Sequence, residues 1–145
     1  MLSRDFKEFV ALLNAHGVEY LVVGGYAMAL HGRPRHTGDL DIWVGTDPRN
    51  AQHLIEVLDA FGFGSLGIGK EDFLVADQVV QLGYPPFRID LLTGIDGVTF
   101  EGAWQRRLTV VHDGLPLHFI GLEDLKANKR VSGRPRDIDD LEQLP

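Results

Sequence analysis

The sequence predicts an α/β (α+β) fold: a mixed, twisted β-sheet flanked by helices, in a single domain spanning 1–145. Three observations carry this. Helical apolar spacings and period-2 stretches interleave along the chain without a regular βαβ series. The 145 residues match one ordinary domain, and 44% hydrophobic residues supply a core. Charged residues make up 24%, so the chain is neither disordered nor fibrous.

Taken in order, Leu2, Phe6, Phe9, Val10 and Leu13 recur at helical spacing behind Ser3, a suitable N-cap, and Gly17 is available to end that helix. Glu19 to Val23 is β-rich and stops at Gly24-Gly25, where YAMAL begins a short helix. Arg33 to Gly38 is a polar loop with two breakers, and it delivers the chain into DLDIWV, a period-2 strand. Asp47-Pro48 supplies an N-cap and a first-position proline to a helix with Ala51, Leu54, Ile55 and Leu58 on one face. Four glycines between Gly62 and Gly69 read as a loop. Residues 77–82 and 87–92 read as paired strands, and Val98 to Arg106 as a helix. Leu108 to His112 and Leu115 to Ile120 form a hairpin around Asp113-Gly114. Leu122 to Arg130 and Pro135 to Leu144 read as two helices.

Composition removes several function classes. Lys plus Arg number 14 against 21 Asp plus Glu, a net charge of −7, which argues against a general nucleic-acid coat. The absence of cysteine removes disulfides, thiolate zinc sites and cysteine nucleophiles together, and suits a reducing cytoplasm. The start, MLSRDFKEFV, is charged and amphipathic, unlike a secretory signal. The longest uncharged apolar run, Tyr20 to Leu30, is half the length of a membrane span. The expectation is a cytoplasmic protein without membrane contact.

Three pieces can carry chemistry. Gly24-Gly25 sits at a strand-to-helix junction, where backbone approaches a ligand closely and free N–H groups attract phosphate; a tight turn would need the same pair. Asp39 and Asp41 alternate onto one face of their strand with Trp43, leaving Leu40, Ile42 and Val44 on the other. Carboxylates so placed repel by about 4 kcal/mol when about 4 Å apart at an effective dielectric of 20. A cation between them, Mg²⁺ given an all-oxygen donor set, resolves this, as would plain solvation at a sheet edge. Asp90, in RIDLL, adds a third carboxylate if its strand lies beside the first; pairing with Arg88 or Arg35 is the alternative. Arg33, Arg35 and His36 precede the Asp39 strand and, with Thr37, could reach phosphate or form a solvated basic loop; five basic residues without an acid run from Lys126 to Arg136. In that run Lys126, Lys129 and Arg130 share a helix face, either a solvated one or a contact for a triphosphate or acceptor RNA, for which Lys129 is the best single candidate.

VGGYAMAL, DLDIWV with thirteen residues between Gly25 and Asp39, and the later RIDLL together resemble the polymerase-beta-like minimal nucleotidyltransferase superfamily. The basic LEDLKANKRVSGRPRDIDDLEQL tail is most similar to its AbiEii-like, toxin–antitoxin branch. Gly25 stands where many members have serine, so backbone N–H groups would hold the phosphates there. The resemblance implies the nucleotidyltransferase fold and a Mg²⁺-dependent enzyme that moves a nucleoside monophosphate from an NTP, such as ATP, to a hydroxyl on a tRNA end, a protein or a small molecule. Asp39, Asp41 and Asp90 would be the catalytic residues and the ligands of two Mg²⁺ ions, with Mn²⁺ as a substitute. Gly24, Gly25, Arg35, Thr37 and Lys129 would bind the nucleotide. A cognate toxin or antitoxin partner follows from the branch alone. The alternatives are an antitoxin-like, non-catalytic nucleotide- or protein-binding module of the same fold, and an antibiotic adenylyltransferase.

Overall fold

A computed structural model describes residues 2–32 and 37–145. Ser3 caps α1 (Arg4–Ala15) by accepting from the Phe6 amide, and the helix buries Phe6, Phe9, Val10 and Leu13. Strand β1 (Tyr20–Val23) runs directly into α2 (Gly24–His31). Strand β2 (Leu40–Val44) is followed by α3 (Pro48–Ala60), where Asp47 Oδ1 caps the Asn50 amide at 3.0 Å. Then come β3 (Val79–Leu82), β4 (Ile89–Leu92), α4 (Phe100–Gln105), β5 (Leu108–His112), β6 (Leu115–Phe119), α5 (Leu122–Ser132) and α6 (Pro135–Glu142).

The strands form one mixed sheet in the order β3-β4-β2-β1-β6-β5. The pairs β2/β4 and β1/β6 are parallel and the other three are antiparallel. This is the predicted architecture. Positive φ at Asp113 and Gly114 closes the β5/β6 hairpin, as that dipeptide requires.

Several boundaries differ from the sequence reading. Asp39 precedes β2 instead of lying inside it, and β3 and β4 each begin two residues later than expected. Helix α5 runs on to Ser132, where Gly133 at φ +61° ends it. The glycine-rich stretch after α3 leads into a short 3₁₀ helix, Lys70–Phe73, which the sequence did not announce. Its single anchor, Phe73, is fully buried.

Alternation in β2 and β4 puts Leu40, Ile42, Val44, Ile89 and Leu91 on one face, all within 2% of complete burial. Asp41 and Asp90 fall on the opposite face. There the next residue along β2, Trp43, is buried and meets Phe100 edge-on at 5.1 Å. That face is therefore apolar at one end and acidic at the other, which confines the polar chemistry to the start of the two strands. Among the described residues, no helix is long and apolar enough to cross a membrane.

Candidate active site

The parallel register of β2 and β4 sets Asp41 opposite Asp90 and Leu40 opposite Ile89. On the other side of β2, antiparallel pairing sets Asp41 against Val23, the last residue before the glycine pair. Three chain segments thus meet at Asp41 for a reason visible in the hydrogen-bond ladder. Asp39 joins them from the residue just before β2.

Arg88 stands among these acids. Its Nη2 donates to Asp39 Oδ2 at 2.7 Å and to Asp90 Oδ2 at 3.2 Å, and its Nε lies 3.0 Å from Asp90 Oδ1. The expected grouping of three carboxylates is present, and so is the arginine weighed as its alternative. Period 2 carried this signal, because Arg88 and Asp90 are two residues apart and share a strand face. Arg88 leaves Asp41 outside its contacts, and Asp41 makes no ion pair among the described residues. Burial, then the charges of Asp90 and Asp39, push the Asp41 carboxyl up from 3.8 to about 6, against a smaller pull from Arg88.

The glycine pair is placed by close approach. Gly24 has φ +65°, and a Cβ there would overlap the Asp41 carboxylate. A Cβ on Gly25 would come within 2.7 Å of Thr37 Oγ1, a side chain that can rotate. Gly24→Ala is therefore expected to cost about 1–3 kcal/mol in urea unfolding and to displace Asp41, with Gly25→Ala milder on both counts.

Gly25, Thr37, Asp39, Asp41, Arg88 and Asp90 line a polar cavity of about 520 Å³, together with Gly38, Arg134 and Arg136. A second cavity of about 390 Å³ opens on the other side of Asp41, between Gly24, the residues flanking β3 and β4, and α5. Its walls mix Val23, Val79, Leu92 and Ile95 with Asp77, Gln78, Asp96 and Asn128. These polar residues, scattered over three segments, gave no spacing signal. Asp96 is tied to α5 through its carbonyl on Asn128 Nδ2 at 3.0 Å and its carboxylate on Ser132 Oγ at 3.1 Å.

Lys129 borders this second cavity but is turned onto α6. Its Nζ lies 2.9 Å from Asp140 Oδ2 and 3.5 Å from Asp137 Oδ1, both acids being buried. Of the expected basic face, Lys126 pairs with Glu123 and Arg130 is exposed. Arg33, Arg35 and His36 lie outside the described residues.

The donor set suits a hard divalent cation. Carboxylate oxygens are its proper ligands, Asp41 carries charge that burial and two neighbouring acids make costly, and Asp39 Oδ1 lies outside the Arg88 contacts. Among the described residues no three acids or histidines are placed to hold a metal ion as they stand, and Arg88 occupies both Asp90 oxygens.

Solved structures share this architecture. TM1012 from Thermotoga maritima, assigned to the nucleotidyltransferases, superposes with a TM-score of 0.59 at 19% identity, covering 96% of this chain and 89% of its own. An antigenic nucleotidyltransferase-like protein from Paracoccidioides brasiliensis gives 0.58 at 17% identity, covering 98% and 76%. ANT(2")-Ia, solved in complex with adenylyl-2"-tobramycin, gives 0.56 at 14% identity, covering 95% and 84%. Identities this low establish the fold alone. No curated protein gives a significant sequence match. The family model described as "Nucleotidyltransferase of unknown function (DUF6036)" matches residues 2–144, nearly the whole chain, and the chain belongs to that nucleotidyltransferase family.

Proposed function

We propose that this single domain is a Mg²⁺-dependent enzyme that transfers a nucleoside monophosphate from an NTP to a hydroxyl on a small molecule. The observation that carries the reading is the meeting of Asp41, Asp90 and Asp39 beside the Gly24 bend. In the transfer, the acceptor oxygen forms a bond to the α-phosphorus, the bond to the β-phosphate oxygen breaks, and pyrophosphate leaves with that electron pair. Asp39 and Asp41 would hold the cation that grips the triphosphate. Asp90 would hold a second, once Arg88 yields its oxygens, or receive the acceptor proton. Bound Mg²⁺ supplies charge neutralisation of the leaving group and activation of the hydroxyl. Gly24 and Gly25 would let backbone close on the phosphates with Thr37 beside them, and Arg35, outside the described residues, is a further phosphate candidate from the sequence alone.

A small acceptor is favoured because acids neutralise much of the basic run, leaving Arg130 and Arg136 exposed. Lys126, Lys129 and Arg134 are each paired with acids, in a chain of net charge −7. ANT(2")-Ia, of the same fold, has an adenylylated small molecule in its structure. The AbiEii-like flavour of the motifs supports a second use of the same chemistry, a toxin–antitoxin component acting on a tRNA end or a protein. Dependence on NTP and Mg²⁺ fits a cytoplasmic site of action.

The test incubates the protein with each α-labelled NTP and Mg²⁺, and separately with aminoglycosides, bulk tRNA and lysate protein. Label moving to a small compound, and lost with EDTA, is the expected result; label on tRNA or protein would select the second use. No transfer in any pairing, with no Mg²⁺-dependent nucleotide binding, would leave a non-catalytic binding module.

A further inference from the structure

Among the described residues, Asp41 and Arg134 alone line both cavities. Asp41 belongs to the acidic group. Arg134 comes from the turn between α5 and α6, and its side chain is 73% exposed. It is held from behind. Asp137, 1% exposed, accepts from Arg134 Nε at 2.7 Å, from Nη2 at 3.3 Å and from the Arg134 amide at 3.3 Å. Lys129 Nζ backs the same carboxylate. Burying a carboxylate is costly unless it is paired, and here the pairing orients an exposed guanidinium.

We propose that Arg134 contacts a phosphate of the nucleotide where the two cavities meet, that Asp137 is its positioning residue, and that Lys129 serves as buried counter-charge. This rests on the nucleotidyl-transfer reading above. The contacts to Asp137 use two of the five N–H donors of a guanidinium and leave the rest for a ligand. A planar fork held in advance loses little freedom on binding phosphate. Its charge also offsets the repulsion between an entering phosphate and Asp39, Asp41 and Asp90. Arg136 lines only the larger cavity and has no comparable anchor among the described residues.

Calorimetric titration with Mg²⁺ and inorganic tripolyphosphate, then with each of the four NTPs, tests this well below the melting temperature. Arg134→Ala is expected to weaken tripolyphosphate and nucleotide alike, by roughly 10–100-fold. Arg134→Lys should recover only part of that loss, since an ammonium cannot reproduce the fork. Asp137→Asn keeps the guanidinium charge and should raise the nucleotide KM by roughly 3–10-fold with little change in kcat. A purely structural role would lower the melting temperature and leave tripolyphosphate affinity of the folded variants unchanged, which would overturn the proposal. Wild-type protein that binds neither tripolyphosphate nor any NTP would instead overturn the nucleotidyl-transfer reading itself, and this proposal with it.

Discussion

Asp41→Asn is expected to stabilise the protein at neutral pH while abolishing nucleotidyl transfer. Burial and the neighbouring Asp90 and Asp39 raise the Asp41 carboxyl from 3.8 to about 6, so the folded state holds that proton more tightly than the unfolded chain does. The stability this confers is fully present below about pH 4 and is lost as pH rises through about 6. Two pH units correspond to about 3 kcal/mol at most, and partial exposure to water reduces the cost to about 1–3 kcal/mol. Asparagine keeps the shape and drops the charge. In EDTA at pH 7.5 its melting temperature should exceed wild type by about 3–9 °C, with the gain gone near pH 4. Mg²⁺ should then stabilise wild type and not the variant, narrowing the gap. Transfer should fall at least about a hundredfold. Equal melting temperatures at pH 7.5 would refute the crowding argument, and equal Mg²⁺ stabilisation would refute the ligand role.

Lys129→Ala is expected to cost about 3–5 kcal/mol in urea unfolding at pH 7. The lysine is buried between Asp137 and Asp140, themselves 1% and 2% exposed. Removing the cation withdraws one partner from two buried acids at once, although Arg134 remains on Asp137. Arg134, then Lys129, hold the Asp137 carboxyl below the usual carboxylate range against the opposing effect of burial. A lowered folded value gives stability present above the unfolded pKa and lost as pH falls through the folded one. The difference between Lys129→Ala and wild type should therefore shrink below about pH 4. Lys129→Met restores the aliphatic stem and should recover the packing part alone. A cost under about 1 kcal/mol would show that α5 and α6 are joined by their apolar contacts, not by this network.

Most of the sheet was legible because its strands are short runs rich in β-formers, bounded by glycine, proline or a DG turn. The site was legible for a related reason: Asp41 and Asp90 interrupt strands otherwise made of Leu, Ile, Val and Trp, so their shared face followed from period 2. What escaped was burial that depends on a distant partner. Asp137 and Asp140 are three residues apart and fall on one face of α6, yet in a DIDD run they look solvated. Lys129, on another helix, joins Arg134 in making that burial tolerable. The same fact turned Lys129 from a ligand candidate towards the interior. Phe73 was missed because one aromatic residue in a glycine-rich stretch has no period.

The parallel ladder between β2 and β4 has a consequence for inheritance. Slipping either strand by one residue would carry an aspartate through the sheet into the greasy layer of Leu40, Ile42 and Leu91, so such a chain should fail to assemble at all. The pairing of Asp41 with Asp90 is thereby proofread by folding. Descendants of this molecule that lose the acidic face should be found with their acids exchanged for other side chains, on strands that have kept their alignment.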